Sequence, residues 1–207
     1  MSEIALFSAD VPKYIENLQL PDPNLLMYYK NMNKRMFWVD GEITEDILEI
    51  EKKIIEFNQE DKDKPIDQIV PVRIFIFSNG GLLEATLSLV NVCELSRVPI
   101  YTYNMGVAMS AGLLLLLSGH KRFCLSGSRA MIHSGSGGVG GTFEQVEAAS
   151  NDYKKLIEYT KDYILRRTKI SPQTYAKKKG KDWYLYCDDQ IQYGIVDAVI
   201  TSIDEIS

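Results

Sequence analysis

Histidine is nearly absent from this chain: 207 residues contain only His120 and His133. There is no HExxH, and Cys93, Cys124 and Cys187 lie too far apart to form a CxxC pair, so neither a metal site nor a cofactor is expected. Three scattered thiols read instead as reduced cysteines of a cytoplasmic protein. No GxxxxGKS/T run occurs, which argues against ATP hydrolysis by this chain, and Asn79-Gly80-Gly81 lacks the spacing of a dinucleotide fingerprint. The longest purely apolar run, residues 113–117, falls far short of the roughly 20 residues a membrane span requires. The N-terminus, MSEIALFSADVPKY, has no charged and then apolar leader, so neither a span nor a secretory signal is expected. Lys and Arg total 23 against 28 Asp and Glu, a net charge of −5, and are scattered rather than gathered into a stripe. Nucleic acid is therefore not an expected partner.

What is present is an ordinary globular composition, 45% hydrophobic and 25% charged, of a length that suits a single α/β domain. Residues 1–34 mix Pro12, Pro21 and Pro23 with polar residues and lack sustained periodicity, so an irregular N-terminal arm is expected. A short strand is expected over 35–39. An amphipathic helix over 43–58 follows, with Ile47, Ile50, Ile54 and Ile55 at helical spacing. Val72-Arg73-Ile74-Phe75-Ile76-Phe77 has the apolar, β-branched and aromatic character of a central parallel strand, and it stops at Asn79-Gly80-Gly81. Helix 82–96, strand 100–104, helix 108–118 and strands 121–125 and 129–133 continue an alternation that calls for βαβ crossovers and a parallel sheet. Residues 134–141 are glycine-rich. A long helix then runs from 142 to about 167, with Phe143, Val146, Tyr153, Ile157 and Ile164 along one face, and a last strand lies near 194–200.

Ala108-Met109-Ser110-Ala111-Gly112 sets a serine between small residues, where a strand passes into an apolar helix. A sharp turn there exposes Oγ at a helix N-terminus that favours developing negative charge, although a serine in this place also suits a plain N-cap. A serine nucleophile requires a base. His133 closes an apolar strand and opens the glycine-rich loop, whereas His120 lies in the polar turn Ser118-Gly119-His120-Lys121, so His133 is the preferred partner. The carboxylate that would orient the imidazole is open among Asp182, Asp188, Asp189 and Asp197. Oxyanion donors are sought in the Ala111 N–H and in the tight Gly80-Gly81 turn.

Taken together, these segments resemble the proteolytic subunit of the Clp protease family. Phe77-Ser78-Asn79-Gly80-Gly81 is similar to its SPGG turn, and Met105 to Gly112 to its MGxAxSxG segment. Lys121-Arg122-Phe123-Cys124-Leu125 and Ser128 to His133 resemble its KRFCL and SRxMIH block, and Tyr193-Gly194-Ile195-Val196-Asp197 its YGLVD ending. The resemblance covers roughly residues 35–200. It implies a crotonase-like βαβ spiral with a strand-helix handle over about 134–168. It also implies Ser110 as nucleophile, His133 as base and Asp182 as orienting acid, with the N–H groups of Gly81 and Ala111 as the oxyanion hole. An extended peptide would lie beside Gly80, Ser134, Gly135 and Ser136. Implied partners are further copies in heptameric rings stacked into a tetradecamer, an AAA+ unfoldase and peptide substrates.

The chain departs from the family where Asn79 and Gly135 replace prolines, where Lys181 replaces an arginine before Asp182, and where Arg73 replaces an aromatic residue of the unfoldase dock, Phe75 keeping another. The expected activity is ATP-independent serine endopeptidase action through an acyl-enzyme. The alternatives are a catalytically silent ring partner of an active paralogue, or an acyl-CoA enzyme on the same scaffold.

Overall fold

The computed structural model describes residues 22–135 and 138–206, and the chain divides between Lys34 and Arg35 into two compact units. In the first unit the described residues form one helix, α1 (Pro23–Asn33), where an irregular arm was expected. Pro23 stands in the first turn, where its missing N–H is no loss, so it opens the helix instead of breaking it. Its apolar residues, Leu25 to Tyr29, run consecutively and are all exposed, which is why no helical periodicity announces it. Pro12 and Pro21 lie outside the described residues.

The second unit is built on a seven-stranded sheet. Its strands are β1 (Met36–Ile43), β2 (Val72–Gly81), β3 (Ile100–Met109), β4 (Lys121–Cys124), β5 (Arg129–Ile132), β6 (Trp183–Tyr186) and β7 (Ala198–Val199). The order β1-β2-β3-β4-β7 is parallel throughout. β3 is shared. Its Tyr101 to Asn104 pair with β4, and beyond Gly106, at φ 146°, its Val107 to Met109 pair with β5, which also joins β6 in antiparallel fashion. The sheet therefore forks just before position 110.

Helices α2 (Leu48–Glu60), α3 (Leu83–Leu95) and α4 (Ala111–Leu117) cover the sheet, as a parallel sheet with an apolar centre requires. Ile74, Phe75 and Ile76 of β2 are fully buried, and all seven residues of α4 are buried. Each α4 leucine contributes about 2 kcal/mol by leaving water. Along α2 the core side is Ile50, Ile54 and Phe57, while Ile55, expected on that side, is 45% exposed. A short turn at Glu45–Ile47, capped by Thr44, precedes α2, and its Ile47 is buried as expected. One sheet face carries an aromatic row, Trp38, Phe75, Tyr103 and Phe123, with successive centroids 4.8, 4.9 and 5.0 Å apart. Phe75 is wholly buried in it, so the exposed aromatic groups of this region are Trp38 and Phe77.

The long helix α5 (Phe143–Arg167) starts at a capping box formed by Thr142 and Gln145. Its C-terminal part packs inward through Tyr163 and Ile164, whereas Phe143, Val146 and Tyr153 are exposed. No strand forms among the described residues of the glycine-rich segment 134–141. Helices α6 (Pro172–Lys178) and α7 (Cys187–Gln192) flank β6. Among the described residues no helix is long and apolar enough to cross a membrane.

Candidate active site

β3 and β5 end side by side, with Met109 registered against Met131, and each is followed by a chemically active side chain. Ser110 turns the chain from β3 into α4 at φ 54°, ψ −123°. A positive φ costs a non-glycine residue roughly 1–2 kcal/mol. The turn is held by the Ser110 N–H donating to Met131 O at 3.0 Å and by the buried helix that follows. This conformation takes Oγ off the helix end, where it makes no cap bond, and brings it 2.6 Å from His133 Nε2. When that nitrogen accepts the hydroxyl proton, the ring serves as a general base on an alcohol nucleophile.

The glycines opposite follow from the same crowding. A Cβ on Gly80 would lie 2.8 Å from Ser110 Cβ, 3.0 Å from Met109 O and 3.2 Å from Ala111 N. On Gly81 it would fall 2.2 Å from Ile43 O of the neighbouring strand. Only glycine lets β2 pass this close to the serine turn and to β1. Ala111, as the first residue of α4, has no carbonyl one turn earlier to receive its N–H, which leaves a donor next to Oγ.

These groups open onto a groove of about 500 Å³, lined by Ser110, Ala111, His133, Gly81, Ser134 and Gly135 among others. Sequence reasoning did not foresee its remaining walls. Leu113, Leu114, Leu156, Ile157 and Ile164 form an apolar side, and Glu42 and Glu84 stand on its lining. Of this wall, Ile157 and Ile164 lie on the face of α5 legible in the sequence, whereas Leu113 and Leu114 come from α4. Tyr153 of that helix donates its hydroxyl to Ser134 O at 3.3 Å and packs over Gly135, where a Cβ would sit 2.4 Å from the hydroxyl. Ser136 lies outside the described residues.

The four candidate carboxylates separate clearly. Asp189 accepts from Tyr186 N at 3.0 Å, and Asp197 holds Arg122 through its backbone N–H at 2.8 Å and its guanidinium at 3.2 Å. Asp188 is exposed in the first turn of α7. Asp182 precedes β6, and because Ile132 registers against Trp183 it follows directly opposite His133. Among the described residues, however, Asp182 is exposed and makes no hydrogen bond or ion pair, so the structure brings Ser110 and His133 together and leaves Asp182 beside them unbonded. His120 is elsewhere. Its Nδ1 accepts from Ile100 N at 2.9 Å at the start of β3, the opposite end of that strand from Ser110. Partial burial of its ring, with Arg167 as a second influence, lowers its pKa from the ordinary histidine value.

Comparison with known proteins identifies the family and the fold. A family model described as Clp protease matches residues 24–203. The ATP-dependent Clp protease proteolytic subunit 2 of Chlamydia trachomatis serovar D is 28% identical over 198 residues, covering 94% of this chain and 95% of that protein. The serovar A protein gives the same values. A single-residue mutant of ClpP1 from Listeria monocytogenes superposes with a TM-score of 0.73 at 24% identity, covering 87% of this chain and 99% of that one, which bears out the crotonase-like α/β fold. A serine turn facing a histidine across a forked parallel sheet, on a chain matched over nearly its whole length, makes this protein a member of the Clp protease family, built as a proteolytic subunit.

Proposed function

We propose that this chain is a serine endopeptidase that cleaves unfolded polypeptide through an acyl-enzyme at Ser110. The observation that carries the reading is the 2.6 Å contact between His133 Nε2 and Ser110 Oγ at the floor of an open groove. His133 takes the hydroxyl proton as Oγ attacks the peptide carbonyl and later returns it to the leaving amine. The N–H groups of Gly81 and Ala111 receive the negative charge on the carbonyl oxygen. Asp182 turns toward Nδ1 and steadies the imidazolium. An extended peptide lies along Gly80 and the segment 134–136, and the leucine and isoleucine wall accepts an apolar side chain beside the scissile bond.

The chamber is formed by further copies of the chain, as heptameric rings stacked into a tetradecamer in the cytoplasm. The exposed apolar residues Val139, Phe143, Val146 and Tyr153 support a role for the start of α5 in ring contact. A separate AAA+ unfoldase delivers folded substrates. Arg73 beside the aromatic row then favours a partner different from that of relatives with an aromatic residue at this position.

The purified chain should cleave short unstructured peptides bearing an apolar side chain at the cleavage position without any nucleotide, and a fluorophosphonate should label it covalently. A chain that assembles but neither cleaves nor labels would be the silent ring partner instead. Gly80→Ala should lower kcat/KM about 100-fold, because the added methyl must push the serine turn and the Ala111 N–H aside. Labelling rates on a variant with unchanged far-ultraviolet dichroism check this. His120→Asn should leave kcat/KM within about threefold of the parent. Folding favours the neutral ring of His120, so its contribution to stability is complete above the ordinary histidine pKa and is lost as pH falls from there through the lower folded value. Melting curves between neutral and mildly acid pH should therefore fall less steeply for this variant than for the parent.

A further inference from the structure

The sequence spacing of the cysteines gives no hint of a pair, yet Cys124 Sγ and Cys187 Sγ lie 3.8 Å apart in the folded chain. Cys124 sits in β4, registered between Asn104 and Val199, and is fully buried. Cys187 is the first residue of α7 and is partly exposed. We infer that Cys187 and Cys124 form a reversible oxidation site, in which a hydroperoxide converts the two thiols into an intrachain disulfide.

The roles follow from access. Cys187 meets the oxidant first: its sulfur attacks the peroxide O–O bond, becomes a sulfenic acid and releases one water when the oxidant is hydrogen peroxide. Cys124 then attacks the Cys187 sulfur, the S–O bond breaks, and the hydroxyl leaves as a second water with the thiol proton. Two sulfurs each lose one electron to the peroxide, and both thiol protons end in water. Burial pushes the Cys124 thiol up to about 12, so of the two sulfurs the partly exposed Cys187 is the one that reacts with the oxidant. Cys93 is buried with its thiol likewise pushed up to about 12, but among the described residues it has no sulfur partner, and it serves as an internal control.

Bonding requires the sulfurs to close from 3.8 Å to about 2.0 Å, within reach of side-chain rotation and a small shift of α7. The surroundings are already fixed. Asn104 donates to Gln190 Oε1 at 3.0 Å, and Gln190 donates to Ser128 O at 3.2 Å and Leu185 O at 3.3 Å. This fully buried network anchors α7 three residues beyond Cys187, which holds the two thiols as neighbours. The disulfide would staple α7 to β4 and restrain β6, whose first residue follows Asp182.

The full chain, treated with graded hydrogen peroxide, is blocked with N-ethylmaleimide after denaturation and digested without reductant for mass spectrometry. The expected product is a Cys124–Cys187 cross-linked peptide, lighter than its parts by two hydrogens, with Cys93 alkylated and dithiothreitol restoring both thiols. The melting temperature should rise by about 3 °C or more on oxidation and return on reduction. Cys187→Ser should abolish both effects, and Cys124→Ser should leave a sulfenic acid at position 187 that dimedone traps. Full alkylation of both thiols after peroxide, a cross-link between two chains only, or direct conversion of Cys187 to sulfinic acid in the native chain would each overturn the proposal. Because Cys187→Ser alters a partly exposed residue, loss of the cross-link in that variant does not depend on disturbing the core.

Discussion

Ser110→Ala should reduce peptide turnover by about four to six orders of magnitude and abolish fluorophosphonate labelling, with the fold unchanged. The expected loss is this large because nucleophile and base act as a unit: without Oγ, the imidazole of His133 has no proton to take and no acyl-enzyme forms. Stability should hardly move. The Ser110 side chain makes no helix-cap bond, its hydrogen bond being the one to His133, and alanine at φ 54° bears the same backbone strain that serine already bears. Thermal melting within about 1 °C of the parent, measured beside turnover of a fluorogenic peptide, would separate loss of chemistry from loss of structure. Turnover reduced less than about tenfold would remove position 110 from the mechanism.

Asp182→Asn should lower kcat by about 10⁴-fold, equivalent to roughly 5.5 kcal/mol of transition-state stabilisation. An amide keeps the shape but cannot hold the imidazole in the tautomer that frees Nε2, nor stabilise the imidazolium. The case rests on register. Ile132 faces Trp183 across the antiparallel β5–β6 pair, so the next residue on each strand places His133 opposite Asp182. Asp182 is exposed and unbonded among the described residues, and a turn containing Gly180 at φ 78° leads into it. Asp189→Asn provides the contrast. Its carboxylate caps α7, so that substitution should cost stability rather than kcat. Equal losses of kcat in both variants, at equal thermal stability, would contradict the assignment of Asp182.

The difference between the two carboxylates illustrates what could be read from residues alone. Asp182, Asp188, Asp189 and Asp197 look alike in sequence, because nothing local tells a carboxylate which donor it will meet. Pairing β5 with β6, and β4 with Asp197 through Arg122, separates them. His133 was preferred over His120 on local grounds, since one ends an apolar strand and the other lies in a polar turn. The structure places His133 on Ser110 and His120 at the far end of β3. The serine turn itself was legible, as small residues between a strand and an apolar helix leave few other backbone paths. Helix α1 was missed because its apolar residues are consecutive and exposed. Ile55 departs from the expectation because it follows Ile54 directly and so lies about 100° round α2 from the buried Ile50, Ile54 and Phe57.

Sequence by itself determined the alternation of strands and helices, the serine turn and the glycines that allow close approach, since periodicity, chain stiffness and the missing Cβ are properties of neighbouring residues. Tertiary structure alone decided which carboxylate stands in register with the histidine, what lines the groove, and that Cys124 and Cys187 meet. Such contacts join residues far apart in the chain, 63 positions for Cys124 and Cys187, and only strand register and helix packing fix such distances.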